Sequence, residues 1–286
     1  MKKVIPFEIL ALLIIPASIV SARSDSTVKP SIVLIHGAWA DGSSWNRVVR
    51  ILQDEGYTVY VPPNPLRGLT SDSAYIASFL STISGPIILV GHSYGGAVIT
   101  NAAAGNSNVK ALVYVDAFAP DQGESVQDLA SAPAPSGQPN SCLAGDFTKL
   151  FDFVPIPGTP GDFDLFVKQS VFPSCFANDL PGKQGAVLAS TQRPLLLSAL
   201  PIKSGSPAWK SIPSWYALGT LDKVIPPWAQ LFMAQRAQSH IVEVRGGHLS
   251  MISQADDVAE VIESAAQSVR GNSNANSELT LAPTIN

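Results

Sequence analysis

The sequence predicts an α/β fold in which a mainly parallel sheet has helices on both faces. First, short apolar runs alternate with helical patterns from Ser31 onward. Second, runs such as Ser31–Ile35 show no polar alternation, which is typical of strands buried on both faces. Third, 46% of the 286 residues are hydrophobic and only 14% are charged, which excludes a disordered chain. Alternating strands and helices indicate right-handed crossovers between parallel strands.

The first half of the chain contains four predicted strands and three predicted helices. The strands are 31–35, 58–61, 86–90 and 111–115. The first helix follows a cap at Ser43 or Ser44 and ends at Gly56, because Trp45, Val48, Val49 and Leu52 have helical spacing. The second carries the apolar positions Ile76, Phe79, Leu80 and Ile83, and the third covers 94–104.

The alternation stops between Pro120 and Pro207 and then resumes. This stretch contains 12 of the 23 prolines and seven of the 11 phenylalanines. A long irregular stretch inside a domain usually serves a function, so we predict an inserted Pro-rich cap at about 120–207. Beyond it the pattern predicts a strand at 214–218, a helix near 228–237, a strand at 241–244 and a final helix containing Val258, Val261, Ile262 and Ala265.

The ends of the chain differ from the predicted domain. Lys2 and Lys3 precede an apolar run over 9–20, and small residues permit cleavage after Ala22. We therefore predict a signal peptide over 1–22, a single domain over 23–286 and a secreted or periplasmic location. The run is too short to span a bilayer, which needs about 20 residues; an uncleaved anchor or a buried segment is the alternative. Residues 271–286 are polar and are predicted to form a flexible tail.

Cys142 and Cys175 are the two cysteines. An oxidising compartment would allow a disulfide between them, which would stabilise the fold by about 3–4 kcal/mol in the chain-entropy model. Two buried free thiols are the alternative. The two cysteines and four scattered histidines show no metal-ligand spacing, so no metal site is predicted.

The charge balance bears on the partners of this protein. Lys and Arg total 18 against 22 Asp and Glu, giving a formal charge of −4. There is no basic stripe to neutralise phosphates, so no nucleic-acid partner is expected. The balance suits a small, uncharged substrate and no membrane span after signal removal.

A serine lies at a predicted strand-to-helix turn. The segment 91–95, Gly-His-Ser-Tyr-Gly, directly follows an apolar strand and directly precedes a helical pattern. Glycines two positions before and after Ser93 allow a sharp turn that a Cβ would crowd. This context predicts that Ser93 is a nucleophile; a serine that only caps the helix is the alternative.

A nucleophilic serine needs a base, and the base needs an orienting acid. His248 is the favoured base because it follows two glycines directly after a predicted strand, whereas His36, His92 and His240 are less well placed. Asp222 is the favoured acid, since it follows another strand and gives the chain order Ser, acid, His.

The sequence offers a second candidate for the acid and also predicts an oxyanion hole. Asp116 is the rival acid, because it also directly follows a strand. An oxyanion hole is expected from two backbone N–H groups, that of Tyr94 after the nucleophile and that of Ala38 in the turn after the first strand.

These segments resemble the α/β-hydrolase superfamily, and within it the small esterases of the methylesterase and hydroxynitrile-lyase type and related bacterial hydrolases. The matching segments are 33–39, 91–96, 117–120 and 246–248. The resemblance covers about 30–268 and implies a triad of Ser93, His248 and Asp222, no cofactor and a cap over the site. Hydroxynitrile lyases of this type bind the leaving cyanide with a lysine near the histidine, so Lys223 keeps a lyase activity open as an alternative.

The predicted substrate is a small to medium, largely apolar ester or lactone cleaved through an acyl-enzyme. Trp39, Phe118 and Val224, with Tyr94, are expected to line the pocket because they lie beside the predicted catalytic atoms. The phenylalanines of the cap could line the pocket or form the core of the cap. A ligand-binding protein without turnover is a second alternative, although such a role needs no nucleophile.

Overall fold

The central sheet has six strands, all paired in parallel. The computed structural model describes residues 29–279, with side chains up to 269. The strands of this sheet are β1 (Ser31–Ile35), β2 (Val59–Tyr60), β3 (Ile87–His92), β4 (Val109–Val115), β8 (Ser214–Gly219) and β9 (His240–Val244). Their order is β2-β1-β3-β4-β8-β9. The predicted α/β fold with a mainly parallel sheet is therefore confirmed, and the strand boundaries lie within two residues of their predicted positions.

The strand register sets the position of the site. Ile35 at the end of β1 pairs with Gly91 in β3, and His92 at the end of β3 pairs with Val115 at the end of β4. The carboxyl ends of these three central strands therefore lie at one edge of the sheet, which is where open α/β sheets bind ligands. Strand β3 is buried along its whole length because it lies in the middle of the sheet.

Helices flank the sheet with their apolar sides buried. They are α1 (Asn46–Asp54), α2 (Leu69–Leu80), α3 (Tyr94–Ala102), α8 (Pro227–Arg236), α9 (Ser250–Ser253) and α10 (Ala255–Leu279). Helix α1 packs on α10, and α2 packs on α3. The apolar positions predicted for the final helix, including Val258 and Ile262, are fully buried. Helix α3 ends two residues earlier than predicted.

The stretch predicted to be an irregular cap contains regular structure. Strands β5 (Phe151–Pro155), β6 (Phe163–Val167) and β7 (Leu195–Leu196) form a separate antiparallel sheet. Four short helices accompany it: α4 (Val126–Ala130), α5 (Phe147–Leu150), α6 (Phe172–Cys175) and α7 (Gly182–Thr191). We call residues 120–207 the cap. Its strands are two to five residues long, which explains why the sequence pattern did not reveal them.

The predictions for the chain ends have different outcomes. The proposed signal peptide over 1–22 lies outside the described residues. Helix α10 continues to Leu279, so 271–279 have helical backbone although their sequence shows no apolar periodicity. Across 29–279, no helix combines the length and apolar composition that crossing a membrane requires.

A disulfide joins Cys142 to Cys175 within the cap, with their Cα atoms 5.8 Å apart. It closes a loop of 33 residues that contains β5, β6 and α6. The free thiols considered from the sequence are therefore absent from the described residues.

We expect the double variant Cys142→Ser/Cys175→Ser to lose about 3–4 kcal/mol of free energy of unfolding, because the unfolded chain regains the entropy that the cross-link removes. Urea unfolding followed by circular dichroism measures this loss. A reductant should reproduce it in the wild type and have no effect on the double variant. Equal stability of the wild type and the double variant would contradict the expectation.

Candidate active site

Ser93 occupies a strained turn between β3 and α3. Its backbone has φ 52° and ψ −124°, a region that non-glycine residues rarely adopt. A Cβ on Gly91 would lie 2.6 Å from the carbonyl oxygen of Gly95, and a Cβ on Gly95 would lie 2.6 Å from that of Ile35. Both glycines are therefore required by the close approach of β1, β3 and α3, which places Ser93 at the carboxyl edge of the sheet.

The side chains of Ser93, His248 and Asp222 form a continuous hydrogen-bonded row. His248 follows β9, and its Nε2 lies 3.0 Å from Ser93 Oγ. Its Nδ1 lies 2.8 Å from Oδ2 of Asp222, which follows β8. All three side chains are buried. The imidazole can accept the proton of the serine hydroxyl at one nitrogen while it donates to the carboxyl group at the other.

Fixed donors hold the carboxyl group of Asp222. Its Oδ1 accepts from the backbone N–H groups of Val224 at 2.7 Å and Ile225 at 3.0 Å. Its Oδ2 also accepts from Nε2 of Gln230 at 2.8 Å. Gln230 is fully buried on α8, and the sequence analysis missed it. A polar residue at an apolar helix position is the signal that could have identified it.

Burial shapes the ionisation of the imidazole and the carboxyl group. It lowers the pKa of His248 below its ordinary value, so the imidazole is neutral at neutral pH and available as a base. Burial raises the pKa of Asp222, and the N–H groups of Ile225 and Val224 oppose that shift because they donate to the charged form.

The rival acid Asp116 lies next to this row without touching His248. It directly follows β4, and its Oδ2 accepts from Oγ of Ser250 at 2.5 Å and from the Ser250 N–H at 3.2 Å. Burial, and secondly the neighbouring Asp222, raise the pKa of Asp116. The structure therefore gives Asp116 a contact with the helix that follows His248, whereas Asp222 bonds to the imidazole itself.

The other histidines have different partners. His36 Nε2 accepts from the N–H of Asn64 at 3.0 Å. The Nε2 of His92 lies 2.7 Å from the carbonyl oxygen of His248, so the ring of His92 contacts the backbone of the histidine loop. His240 stacks on Trp215 at the start of β9, with 4.7 Å between the ring centroids. None of these three rings is bonded to Ser93 among the described residues.

The two predicted oxyanion donors border the same cavity as Ser93. Within 29–269, no protein acceptor takes the N–H of Ala38 or of Tyr94. The next N–H, that of Trp39, donates to the carbonyl oxygen of Arg193 at 3.1 Å. The Tyr94 hydroxyl donates to buried Asp72 at 2.8 Å, which anchors the residue that carries one of the donors.

The cavity above Ser93 has a volume of about 340 Å³. The predicted pocket residues Trp39, Phe118 and Val224 line it, as does Tyr94. The rest of the lining comes from cap residues without ionisable side chains: Val126, Gln127, Ala130, Ser131, Ser141, Leu143, Ala144, Gly145, Phe147, Phe151, Leu195 and Leu200. The cavity therefore suits an uncharged, mainly apolar molecule.

Some phenylalanines of the cap line the cavity and others are buried in the core, so each alternative holds for part of the set. Phe147 and Phe151 line the cavity, whereas Phe172 and Phe176 are buried in the protein core. The remaining three, Phe153, Phe163 and Phe166, are half-buried on the cap sheet.

The chain belongs to the α/β hydrolase family, whose model matches residues 32–261. It is 33% identical over 116 residues to a carbendazim-hydrolysing esterase of Nocardioides sp. (strain SG-4G), a match covering 36% of this chain and 48% of that protein. The chain thus spans about half the length of this relative. It is 27% identical over 266 residues to the α/β hydrolase nvfD of Aspergillus novofumigatus (strain IBT 16806), covering 84% of this chain and 97% of that protein.

Among solved structures, polyneuridine aldehyde esterase has a similar fold. The TM-score is 0.69 at 18% identity, and the alignment covers 82% of this chain and 98% of that structure. The resemblance to esterases of the α/β-hydrolase superfamily is confirmed by these comparisons.

We expect the rate at which a fluorophosphonate modifies Ser93 to fall as the pH falls, with a midpoint below 6.5. The reaction needs neutral His248, and the lowered pKa of this group keeps it neutral to lower pH than a free imidazole. Mass spectrometry of the labelled protein between pH 2.5 and 8 measures the midpoint. The Ser93→Ala variant is the unlabelled control, and a midpoint at or above 6.5 would contradict the expectation.

Proposed function

We propose that this protein is a serine hydrolase that cleaves carboxylic esters through an acyl-enzyme. The observation that carries the proposal is the buried hydrogen-bonded row in which Ser93 Oγ lies 3.0 Å from His248 Nε2, and His248 Nδ1 lies 2.8 Å from Asp222. Family membership and the esterase among its relatives support a hydrolytic activity. A protein that only binds a ligand would not require this hydrogen-bonded row.

In the first step, Ser93 Oγ attacks the ester carbonyl carbon while His248 Nε2 takes the hydroxyl proton. The N–H groups of Ala38 and Tyr94 donate to the oxyanion, and the helix N-terminus at Tyr94 favours the same charge. The tetrahedral intermediate then collapses. The bond to the alcohol oxygen breaks as His248 gives that oxygen its proton, and the acyl group stays on Ser93.

In the second step, a water molecule replaces the alcohol. His248 takes one proton from the water as its oxygen attacks the acyl carbon, and then returns that proton to Ser93 Oγ as the acyl bond breaks. The products are one alcohol and one carboxylic acid, and the enzyme is regenerated. Asp222 keeps the Nδ1 proton of His248 in place and stabilises the imidazolium that forms in both steps.

The substrate that the cavity supports is a small to medium, largely apolar ester or lactone. A volume of about 340 Å³ and a lining without charged side chains favour uncharged acyl and alcohol groups. Trp39, Phe118 and Val224 would contact the groups next to the reacting carbonyl, while Phe147 and Phe151 would contact those farther into the cap.

The lyase alternative has less support from the geometry. An enzyme of the hydroxynitrile-lyase type would need a cation beside the leaving cyanide. Lys223 lies next to Asp222 in the chain, but its Nζ points to the carbonyl oxygen of Ser174 at 3.5 Å and does not line the cavity. Ester hydrolysis requires no such cation, so it remains the proposed activity.

We also propose export from the cytoplasm. The disulfide between Cys142 and Cys175 supports an oxidising location, either secreted or periplasmic.

We expect Ser93→Ala to abolish hydrolysis of p-nitrophenyl butyrate while the protein remains folded, because the attacking oxygen is removed and the buried site tolerates the smaller side chain. Release of p-nitrophenol measures activity, and circular dichroism checks the fold. Ser43→Ala, a change at an exposed serine of the described chain, is the control that should retain activity. Undiminished activity of Ser93→Ala would refute the proposal.

We expect Asp222→Asn to lower kcat by roughly 10⁴-fold, since an amide next to His248 Nδ1 no longer favours the required tautomer. Asp116→Asn should reduce kcat far less, because Asp116 bonds to Ser250 and not to the imidazole. Steady-state kinetics of both variants measure the difference. A larger loss from Asp116→Asn than from Asp222→Asn would assign the acid role to Asp116.

A further inference from the structure

The cap holds the loop that carries Asp222 from both sides. Asn178 Nδ2 donates to the carbonyl oxygen of Leu221 at 3.0 Å. The backbone N–H of Cys142 donates to the carbonyl oxygen of Lys223 at 2.8 Å. The carbonyl groups of the residues immediately before and after Asp222 thus both accept hydrogen bonds from cap residues. The disulfide connects these two points of attachment, because Cys142 is bonded to Cys175, three residues before Asn178.

The same cap segment also holds the loop that carries His248. Asp179 Oδ2 accepts from the backbone N–H of Gly247 at 2.6 Å and from Oγ of Ser253 at 2.5 Å. These two donors stand before and after His248 in the chain. In addition, the ring of Phe176 packs edge-on against the imidazole, with 4.8 Å between the centroids. The segment therefore contacts the loops of both the proposed base and the proposed acid.

The fit at Gly247 is close and leaves one carboxylate oxygen without a partner. A Cβ at position 247 would lie 2.6 Å from Asp179 Oδ1 and 2.8 Å from Asn178 Oδ1. Asp179 Oδ1 is buried and accepts no hydrogen bond within the described side chains. Buried polar atoms are normally paired, because leaving one unpaired costs free energy. Asp179 Oδ1, like Oδ1 of Asp116, therefore has no protein partner in the described part of the chain, and Asp179 holds its carboxylate directly beside the histidine loop.

We infer that Asp179 is a positioning residue for His248, and that the disulfide-linked cap thereby helps to maintain the reactive arrangement as well as the substrate cavity. Asp179 fixes the backbone next to His248 by accepting the Gly247 N–H, and its negative charge stabilises the imidazolium that forms when Ser93 attacks. This inference rests on the proposed esterase function. Asp179 does not line the cavity, so its effect should reach kcat and not substrate binding.

Besides Asp179, three ionisable groups lie near the imidazole of His248. Asp222 bonds to Nδ1, the ring of His92 lies 4.9 Å away between centroids, and Asp116 reaches the following helix through Ser250. Burial lowers the pKa of His248, and the charge of Asp179 acts in the opposite direction. Removing that charge should therefore lower the pKa further and make His248 a weaker base.

The test compares Asp179→Asn and Asp179→Glu with the matched control Asp162→Asn. Asp162 is another cap carboxylate with a short bond to a serine hydroxyl, 2.5 Å to Ser198 Oγ, and it contacts neither loop of the site. Steady-state hydrolysis of p-nitrophenyl butyrate is measured from pH 2.5 to 8. Rates are divided by the concentration of active sites, which is found by titration with a fluorophosphonate.

For Asp179→Asn we expect kcat per active site to fall roughly tenfold, KM to stay within about twofold, and the acid limb of kcat/KM to move to lower pH. The asparagine oxygen can still accept the Gly247 N–H, so this variant isolates the charge. Asp179→Glu keeps the charge, so its acid limb should stay closer to that of the wild type. Asp162→Asn should match the wild type in kcat per site and in pH profile.

The inference is overturned if Asp179→Asn keeps the wild-type kcat per site and acid limb. It is equally overturned if the only loss is a smaller number of titratable sites, since that result indicates a purely structural role. A failure of the proposed function looks different: wild-type protein would then show no hydrolysis that depends on Ser93, whatever residue 179 is.

Discussion

The geometry of the site depends on the backbone conformation of one residue. Ser93 is held at a positive φ, which costs about 1–3 kcal/mol for a residue with a side chain. The neighbouring backbone compensates for this cost: the Ser93 carbonyl oxygen accepts from the N–H groups of Gly96 and Phe118, and the Ser93 N–H donates to Val115. These bonds join β3, β4 and α3 at the point where the hydroxyl must face His248. The parallel sheet therefore acts as the rigid support of a locally unfavourable turn.

The second constraint is that three separate loops must meet at atomic precision. Ser93 follows β3, Asp222 follows β8 and His248 follows β9, so the chain separations between them are large. The sheet brings their starting points to one edge but does not fix the ends of the loops. Gln230 on α8 donates a hydrogen bond to Asp222, and His92 Nε2 lies within hydrogen-bond distance of the carbonyl oxygen of His248. The cap contacts the outer side of both loops.

Much of the framework could be predicted from the sequence because its signals are local. The apolar run of β3, the glycines around Ser93 and the helical spacing in α1 are readable within a few residues, and the strand-to-helix alternation followed from them. The contacts of Asp179 and Asn178 join positions 43 to 74 residues apart in the chain, so no local pattern reveals them. Chain order favoured Asp222 over Asp116 but kept Asp116 as a rival, because both follow strands and only the packing of β8 beside β9 separates their surroundings.

Trp39 ties the turn after β1 to the cap at two points. Its backbone N–H donates to Arg193, and its indole Nε1 donates to the carbonyl oxygen of Leu165 in β6 at 2.8 Å. These two hydrogen bonds attach β6 and the segment at Arg193 to the turn beside the position where the oxyanion would form. The exposed part of the cavity wall lies elsewhere, at Gln127 on α4 and around Gly145. Reactants would therefore reach Ser93 between these two segments of the cap, so substitutions there would change access to the site without touching the catalytic row.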